Sequence, residues 1–331
     1  MLPDSLRLTR ETLHPALNEA LSVFPEEIAD RAAMSLRRML EDRIVQDGEK
    51  AWSNSFLTGD GFPVEFSFTT ADNRLRYTTE PMRAVLAPQR RFEEAVRLLN
   101  RLSTTDFPEN VFVSLRKMHQ QGELLYGAWL GARHGPEDSE YKLYVEVPDD
   151  SSDKAVLAVF ELELPQPRLT DRTAKLRMVA FTPVSAKWEV YYRIESVQPY
   201  HLPRLLAPAG LEGRADEVLR FIADVYGHSL TSRLPGPSVG VSYTMKSPGS
   251  AQNVTLFFFA RAFWGTDSRI RQRFSRWARA FGWDDSHYQQ ITTSLADRFS
   301  WQTYHGILGI TMTYNGQLAL NIGVRPIEVL R

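Results

Sequence analysis

The sequence predicts an α+β fold: a ten-stranded antiparallel β-barrel with a polar lumen, surrounded by a ring of α-helices. Five stretches have the pattern of a β-hairpin, and they alternate along the chain with helical stretches that carry an apolar stripe. Many of the strands have one apolar face and one polar face. Because the helices need an apolar surface to pack on, the economical arrangement places them outside the barrel and leaves the polar faces inside.

Length and composition indicate a single domain. The chain has 331 residues, and 43% of them are hydrophobic, which suffices for a substantial core. No low-complexity linker interrupts the sequence. We therefore expect one domain over residues 1–331, in which N-terminal helices of residues 1–60 pack on a barrel built from five hairpin–helix repeats within residues 62–325.

The composition also argues against several classes of function. The formal net charge is -1, so no global positive charge suggests a nucleic-acid partner. There are no cysteines, which excludes disulfides and thiolate metal sites. The longest apolar run, residues 254–259, is far shorter than the roughly 20 residues that span a bilayer. Without a signal-peptide pattern at the N-terminus, we expect a soluble, cytoplasmic monomer with no membrane partner.

The first part of the chain is predicted to be helical. Pro25 suits a first helical position, and Glu26 and Glu27 favour a helix N-terminus. The residues that follow place an apolar stripe on one face of a helix: Ile28, Ala32, Leu36, Met39 and Leu40.

The five hairpins are recognised by alternating apolar and polar residues on both sides of a turn. The turn at Asn315-Gly316 is a strong two-residue hairpin signal, and Asp72-Asn73 marks another turn. The predicted strand pairs are residues 63–70 with 74–79, 124–132 with 141–147, 174–182 with 188–195, 239–246 with 254–262, and 306–314 with 317–324.

Helices are predicted between the hairpins. The clearest begins at Asp267, a good N-cap residue, and carries Ile270, Phe274 and Trp277 on one face. The other predicted helical stretches are residues 92–102, 109–120, 154–162, 202–206, 215–226 and 286–299.

The strand at residues 141–147 defines the polar face most clearly. Leu143, Val145 and Val147 lie on one of its faces. Lys142, Tyr144 and Glu146 lie on the other, and such a face needs water, a ligand or mutual pairing because an unpaired buried charge is costly. We expect this face to look into the barrel lumen.

The same alternation assigns a set of polar residues to the lumen. Arginine offers forked hydrogen bonds, lysine a point charge and tyrosine a neutral donor, so the set suits an anionic phosphate group. For each residue the alternative is exposure to solvent or pairing within the set. The members are Glu65, Arg74, Arg76, Lys142, Tyr144, Lys175, Arg177, Lys187, Glu189, Tyr191, Arg193, Tyr243 and Arg261.

Five hairpin–helix units with a Lys-x-Tyr pattern at Lys142 and Tyr144 resemble the aromatic prenyltransferases of the ABBA barrel type. The resemblance runs from about Phe62 to the C-terminus. Residues 130–150 and 253–261 are also similar to the peptide prenyltransferases of cyanobactin biosynthesis, which modify ribosomally made peptides (RiPPs).

The resemblance implies a role for each candidate site residue. Glu65 would be the catalytic base. The diphosphate would be bound by Arg76, Lys142, Tyr144, Lys187, Tyr191 and Arg261. The prenyl and acceptor pocket would be lined by Trp129, Tyr243, Phe257, Phe259 and Asn321, although packing is the alternative for Trp129. The chain departs from the indole-prenylating branch at Phe257, Phe259 and Asn321, where that branch has tyrosines.

The implied function is transfer of a dimethylallyl or geranyl group from its diphosphate, through an allylic cation, to an electron-rich acceptor. The acceptor would be an aromatic amino acid, an indole or phenol natural product, or a peptide side chain. Mg²⁺ accompanies the diphosphate in some branches of the family. The alternatives are a non-catalytic barrel that binds a hydrophobic or anionic small molecule, and an interaction protein with a filled core.

Three other patterns are not assigned to a functional site. The seven histidines have no HxH or HExxH spacing, and Asp284-Asp285 lacks a later aspartate, so no metal site is assigned. The basic run Arg269, Arg271, Arg273, Arg276 and Arg279 has helical spacing and is interpreted as the solvated face of a helix.

Overall fold

Ten antiparallel strands close into a barrel in the computed structural model, which describes residues 13–327 apart from 84, 150–163, 248–249, 299 and 301–302. Each strand pairs with its neighbours in the sequence, and the first strand pairs with the last. The strands are Val64–Thr69 (β1), Asp72–Thr79 (β2), Ala128–His134 (β3), Ser139–Glu146 (β4), Ala174–Thr182 (β5), Lys187–Glu195 (β6), Ser238–Ser247 (β7), Ser250–Phe259 (β8), His305–Thr313 (β9) and Leu318–Val324 (β10).

Closure joins β1 to β10. Phe66 lies opposite Val324, and Phe68 lies opposite Ile322. A closed barrel leaves no strand edge with unpaired backbone groups, so every strand is hydrogen-bonded on both sides. The predicted ten-stranded fold class is therefore confirmed.

The α-helices lie in the segments that connect the hairpins and before the first of them. Among the described residues, no helix is both long and apolar enough to cross a membrane. The helices are Pro15–Ser22 (α1), Glu26–Asp47 (α2), Pro88–Leu102 (α3), Glu109–His119 (α4), Leu202–Leu206 (α5), Ala215–Tyr226 (α6), Ala260–Trp264 (α7), Asp267–Ala280 (α8) and Ser286–Ile291 (α9).

Four predicted elements differ from the structure or fall outside it. The strand predicted at residues 124–132 begins only at Ala128 and continues to His134. The predicted strand at residues 254–262 ends at Phe259, and α7 follows at once, so Arg261 lies on a helix. The predicted helix over 286–299 is shorter, because α9 ends at Ile291 and a 3₁₀ turn follows. The predicted helical stretch at 154–162 lies outside the described residues.

The hydrophobic core lies between the outer face of the barrel and the helices. Leu143 and Val145 of β4 are fully buried there, as are Leu36 of α2 and Leu99 of α3. Removing these apolar side chains from water is the main force that holds the helices on the barrel. On the same strand Lys142 and Tyr144 point the other way, into the lumen, where both line a small cavity.

Ion pairs cluster at one end of the lumen. Asp72, at the turn between β1 and β2, accepts hydrogen bonds from both Arg76 and Arg133. Arg133 also lies 3.7 Å from Glu140, and Arg74 lies 2.8 Å from Asp138. At the opposite end, where β1 begins, the barrel opens into a larger cavity.

The predicted position of Tyr243 in the lumen pocket is wrong. Tyr243 lies opposite Val190 and Val254, on the outer face of the barrel, and its side chain is fully buried against the helices. Its hydroxyl donates a hydrogen bond to the carbonyl of Leu205 at 2.8 Å. A phenol can lie on either face of a strand, because its polar tip is satisfied by a single acceptor.

We therefore expect Tyr243→Phe to lower the free energy of unfolding by about 1 kcal/mol, the net value of one buried hydrogen bond. Urea denaturation measures this change. Tyr314→Phe serves as the control and should leave stability unchanged, because Tyr314 is 71% exposed. A Tyr243→Phe protein with weaker ligand binding and unchanged stability would contradict this placement.

Candidate active site

Glu65 lies near the start of β1 and points into the open end of the lumen. It lines a cavity of about 700 Å³ together with Phe259, Arg261, Tyr304 and Arg325. Arg325 is held by Asp60 at 2.8 Å and lies over the ring of Phe62. The carboxylate thus faces a chamber with both aromatic and cationic walls.

Two glycines make room for the Glu65 carboxylate. A Cβ added at Gly306 of β9 or at Gly323 of β10 would overlap its oxygens. Glycine inside a strand often marks a place where another group approaches the backbone closely. The two glycines could therefore have indicated this site in the sequence, but the alternation of apolar and polar residues does not reveal it.

The start of β9 is held in place from behind the cavity wall. The carboxylate of Asp267 accepts hydrogen bonds from the backbone N–H groups of Tyr304 and His305, each at 3.1 Å. Nδ1 of His305 lies 2.7 Å from the same carboxylate, and its Nε2 lies 2.9 Å from the hydroxyl of Tyr288. This buried network fixes Gly306 beside Glu65.

Burial raises the pKa of Glu65 to about 7. A carboxylate removed from water favours its neutral form, and within the described part of the chain no ion pair with Glu65 opposes this effect. A carboxyl group with a pKa near neutrality can both accept and release a proton at physiological pH, as a general base requires.

Deeper in the lumen, Lys142 and Tyr191 are both bound to Glu189. Nζ of Lys142 donates to Oε1 of Glu189 at 2.6 Å, and the hydroxyl of Tyr191 donates to Oε2. Burial alone would lower the pKa of Lys142, but the Glu189 carboxylate outweighs it and raises that pKa. In turn, burial would raise the pKa of Glu189, but Lys142 outweighs it and lowers that pKa. Both side chains are therefore charged.

An aromatic wall runs along this part of the lumen. The ring centroids of Tyr144 and Tyr191 are 6.1 Å apart, and those of Tyr191 and Phe257 are 6.0 Å apart. The Lys142 ammonium lies 5.3 Å from the centre of the Tyr144 ring. The negative faces of such rings can stabilise a cation in the space they enclose.

Arg76 shares a smaller space with this cluster. A cavity of about 90 Å³ is lined by Arg76, Lys142, Tyr144 and Thr182. Lys187 lies at the start of β6, two residues before Glu189, and its charge contributes to the lowered pKa of that carboxyl. The structure thus brings Arg76, Lys142, Tyr144, Lys187 and Tyr191 to one region, as predicted from their strand positions.

The remaining predicted residues lie apart from this cluster. Phe259 and Arg261 are at the open end, where the Phe259 ring is 52% exposed. Asn321 of β10 lies beside Phe257 across Gly309, and its amide donates to the hydroxyl of Thr311 at 2.8 Å.

Trp129 lies opposite Tyr144 on the lumen face. Its indole N–H donates to Glu80 at 3.2 Å, and its ring stacks on Tyr126 at a centroid distance of 4.0 Å. Glu80 is fully buried and lies 3.4 Å from Arg91. Sequence reasoning missed Glu80, because it lies just after the end of β2 and outside the alternation pattern.

The described residues contain no group of three or more His, Cys, Asp or Glu side chains able to hold a metal ion. The described side chains can support proton transfer at Glu65, anion binding by the lumen cations and shielding of a cation by aromatic rings.

The raised pKa of Glu65 predicts how Glu65→Gln changes stability with pH. Near pH 4.5 the variant and the wild type should be similar, because the carboxyl group is largely protonated in the folded protein and begins to ionise only when unfolded. As pH rises to about 7 the wild type loses stability that the variant keeps, by about 2 kcal/mol.

Urea denaturation across this pH interval and above it measures the difference. Glu195→Gln provides the control, because Glu195 lies on the barrel rim, is 63% exposed and pairs with Arg193. A difference between Glu65→Gln and the wild type that stays constant with pH would show that burial does not raise this pKa.

Solved structures share this fold. The 5-dimethylallyl tryptophan synthase from Streptomyces coelicolor, in complex with DMASPP and Trp, has a TM-score of 0.74 at 18% sequence identity, covering 96% of this chain and 97% of that chain. PriB in a ternary complex with L-tryptophan and dimethylallyl thiolodiphosphate has a TM-score of 0.69 at 17% identity, covering 97% and 99%. AnaPT from Neosartorya fischeri has a TM-score of 0.69 at 13% identity, covering 98% and 95%.

No family model matches the sequence, and no curated protein matches it. At the identities of the solved structures, the likeness establishes the fold. The resemblance to ABBA-type prenyltransferases is thus confirmed at the level of the fold, and the chain has the closed ten-stranded barrel of these proteins.

Proposed function

We propose that this protein is a prenyltransferase that moves a dimethylallyl or geranyl group from its diphosphate to an electron-rich acceptor. The observation that carries the proposal is the position of Glu65: its partly buried carboxyl group, with a pKa raised to about 7, faces the open end of the lumen that also holds Lys142 and an aromatic wall. The barrel fold shared with tryptophan prenyltransferases supports it.

The diphosphate of the donor would bind to Arg76, Lys142 and Lys187, with the hydroxyls of Tyr144 and Tyr191 as neutral donors. The C–O bond to the prenyl group breaks, and its electron pair leaves with the diphosphate. Stabilisation of the charge on this leaving group is the largest catalytic contribution. The resulting allylic cation is shielded by the faces of the lumen rings.

The acceptor would lie in the larger cavity, between the aromatic wall and Glu65. A nucleophilic atom of the acceptor attacks the cation, a new bond to the prenyl carbon forms, and the displaced proton passes to Glu65. A cavity of about 700 Å³ is within the range of small-molecule sites. The pocket for the prenyl chain and the acceptor would be shaped by Phe257, Asn321, Phe259 and Trp129.

The acceptor class that we propose is an aromatic amino acid, an indole or phenol natural product, or a side chain of a RiPP peptide. The solved structures in complex with DMASPP or dimethylallyl thiolodiphosphate also hold tryptophan, which supports an aromatic acceptor. Any Mg²⁺ involved would be bound by the diphosphate, because the described residues offer no metal cluster.

Mass spectrometry of reaction mixtures tests the activity directly. Dimethylallyl and geranyl diphosphate are each incubated with tryptophan, tyrosine, indoles, phenols and cyclic peptides, and a prenylated product is expected. We expect Lys142→Ala to lower turnover by about a hundredfold or more, because it removes charge from the leaving group. Glu65→Gln should lower it by about 100-fold to 10,000-fold through loss of the base.

The matched control is Glu195→Gln on the rim, which should turn over like the wild type. Failure to bind any prenyl diphosphate would refute the proposal. Binding of a prenyl diphosphate without product across the panel would instead favour the non-catalytic barrel.

The pH dependence follows from the same carboxyl group. Glu65 accepts the proton only when ionised, so kcat/KM should fall about tenfold for each pH unit below about 7. The pH profile of kcat/KM is measured for the wild type and for Glu65→Gln. The residual activity of the variant should not fall as the pH drops below about 7. If kcat/KM of the variant falls with decreasing pH as it does in the wild type, the titrating group is not Glu65.

A further inference from the structure

Glu189 lies among the groups that would bind the diphosphate. It is on β6, and the side chain that it contacts at 2.6 Å, Lys142, is on β4, two strands away. Its second oxygen accepts the hydroxyl of Tyr191. The Glu189 carboxylate is therefore bound to both the Lys142 ammonium group and the Tyr191 hydroxyl, which face this part of the lumen.

The pair is only partly shielded from water. The side chain of Lys142 is 26% exposed and that of Glu189 is 16% exposed. Charges this close attract each other strongly in a partly buried site, and breaking the contact leaves each of them incompletely solvated. In the free protein the positive charge of Lys142 is therefore balanced by a carboxylate of the chain itself.

Neighbouring cations of the lumen are balanced in the same way. Arg76 and Arg133 both contact Asp72, and Arg133 also lies near Glu140. A diphosphate that enters this region must therefore compete with internal carboxylates. At Lys142 the competitor is Glu189.

We propose that Glu189 is an internal counter-ion that occupies the anion-binding groups of Lys142 and Tyr191 in the free protein and so sets the affinity for the diphosphate donor. This role rests on the proposed function, since the anion is taken to be a prenyl diphosphate or its diphosphate product. Binding releases Lys142 and the Tyr191 hydroxyl from Glu189, and departure of the diphosphate lets Glu189 bind them again.

A carboxylate that only held the barrel together would behave differently. Its removal would lower stability and disorder Lys142, so anion binding would weaken. A counter-ion that competes with the ligand predicts the opposite sign, because removal of its charge frees Lys142 and removes repulsion from the incoming anion.

Isothermal titration calorimetry of the full chain with inorganic pyrophosphate tests whether removing the Glu189 charge strengthens or weakens anion binding. Glu189→Gln keeps the size of the side chain and an acceptor for Tyr191, and it removes the charge. We expect it to bind pyrophosphate at least about tenfold more tightly than the wild type. Glu195→Gln, the same change on the same strand, should bind like the wild type because its partner is Arg193 at the rim.

A double-mutant cycle shows whether the effect acts through Lys142. In a Lys142→Met background the gain from Glu189→Gln should be smaller than in the wild-type background, because the cation that the substitution frees is absent and only the repulsion of the anion is removed. Equal or weaker binding of pyrophosphate by Glu189→Gln in a protein with unchanged circular dichroism would overturn the inference, as would a gain that persists in full without Lys142.

The two proposals fail in different ways. If prenyl transfer is observed and pyrophosphate affinity is the same in Glu189→Gln and the wild type, only the counter-ion role is refuted. If Glu189→Gln tightens pyrophosphate binding as expected but no acceptor is prenylated, the counter-ion role stands and the transferase proposal fails. If neither protein binds pyrophosphate, the counter-ion role is refuted, and the transferase proposal is decided by the binding and turnover of prenyl diphosphates.

Discussion

The cost of enclosing charged groups in a barrel surrounded by helices governs this structure. A charged side chain removed from water must find a partner or change its protonation state. Lys142 and Glu189 take the first course and remain ionised. Glu65 takes the second, and its pKa rises to about 7. The same physical constraint therefore yields a balanced ion pair in the middle of the lumen and a group suited to proton transfer at its open end.

The difference between the two ends follows from where partners are available. Near the turn between β1 and β2, Asp72 accepts hydrogen bonds from both Arg76 and Arg133. At the opposite end the neighbours of Glu65 on β9 and β10 are Gly306 and Gly323, which offer space and no charge. The carboxyl group thus has space but no ion-pair partner among the described residues, so its pKa rises into the range that suits proton uptake.

Much of this could be predicted from period-two alternation. It placed Lys142 and Tyr144 opposite Leu143 and Val145, and the structure separates them in that way. Alternation failed at Tyr243, because a phenol on the outer face is satisfied by a helix carbonyl and so resembles a lumen residue in the sequence. It also missed Glu80, which lies just beyond the end of β2 and accepts a hydrogen bond from Trp129 of the neighbouring strand β3.

The sequence by itself determined which side chains could share the lumen. Alternate residues of a strand lie on opposite faces, and the apolar stripes of the helices indicate which of the two faces packs outward. Only the tertiary structure decided which of those side chains meet. Lys142 and Glu189 are 47 residues apart in the chain, and their contact depends on the register of β4, β5 and β6 around the closed barrel. Which charged side chains pair, how deeply they are buried and whether they are protonated depend on distances across the lumen. No local sequence pattern encodes those distances.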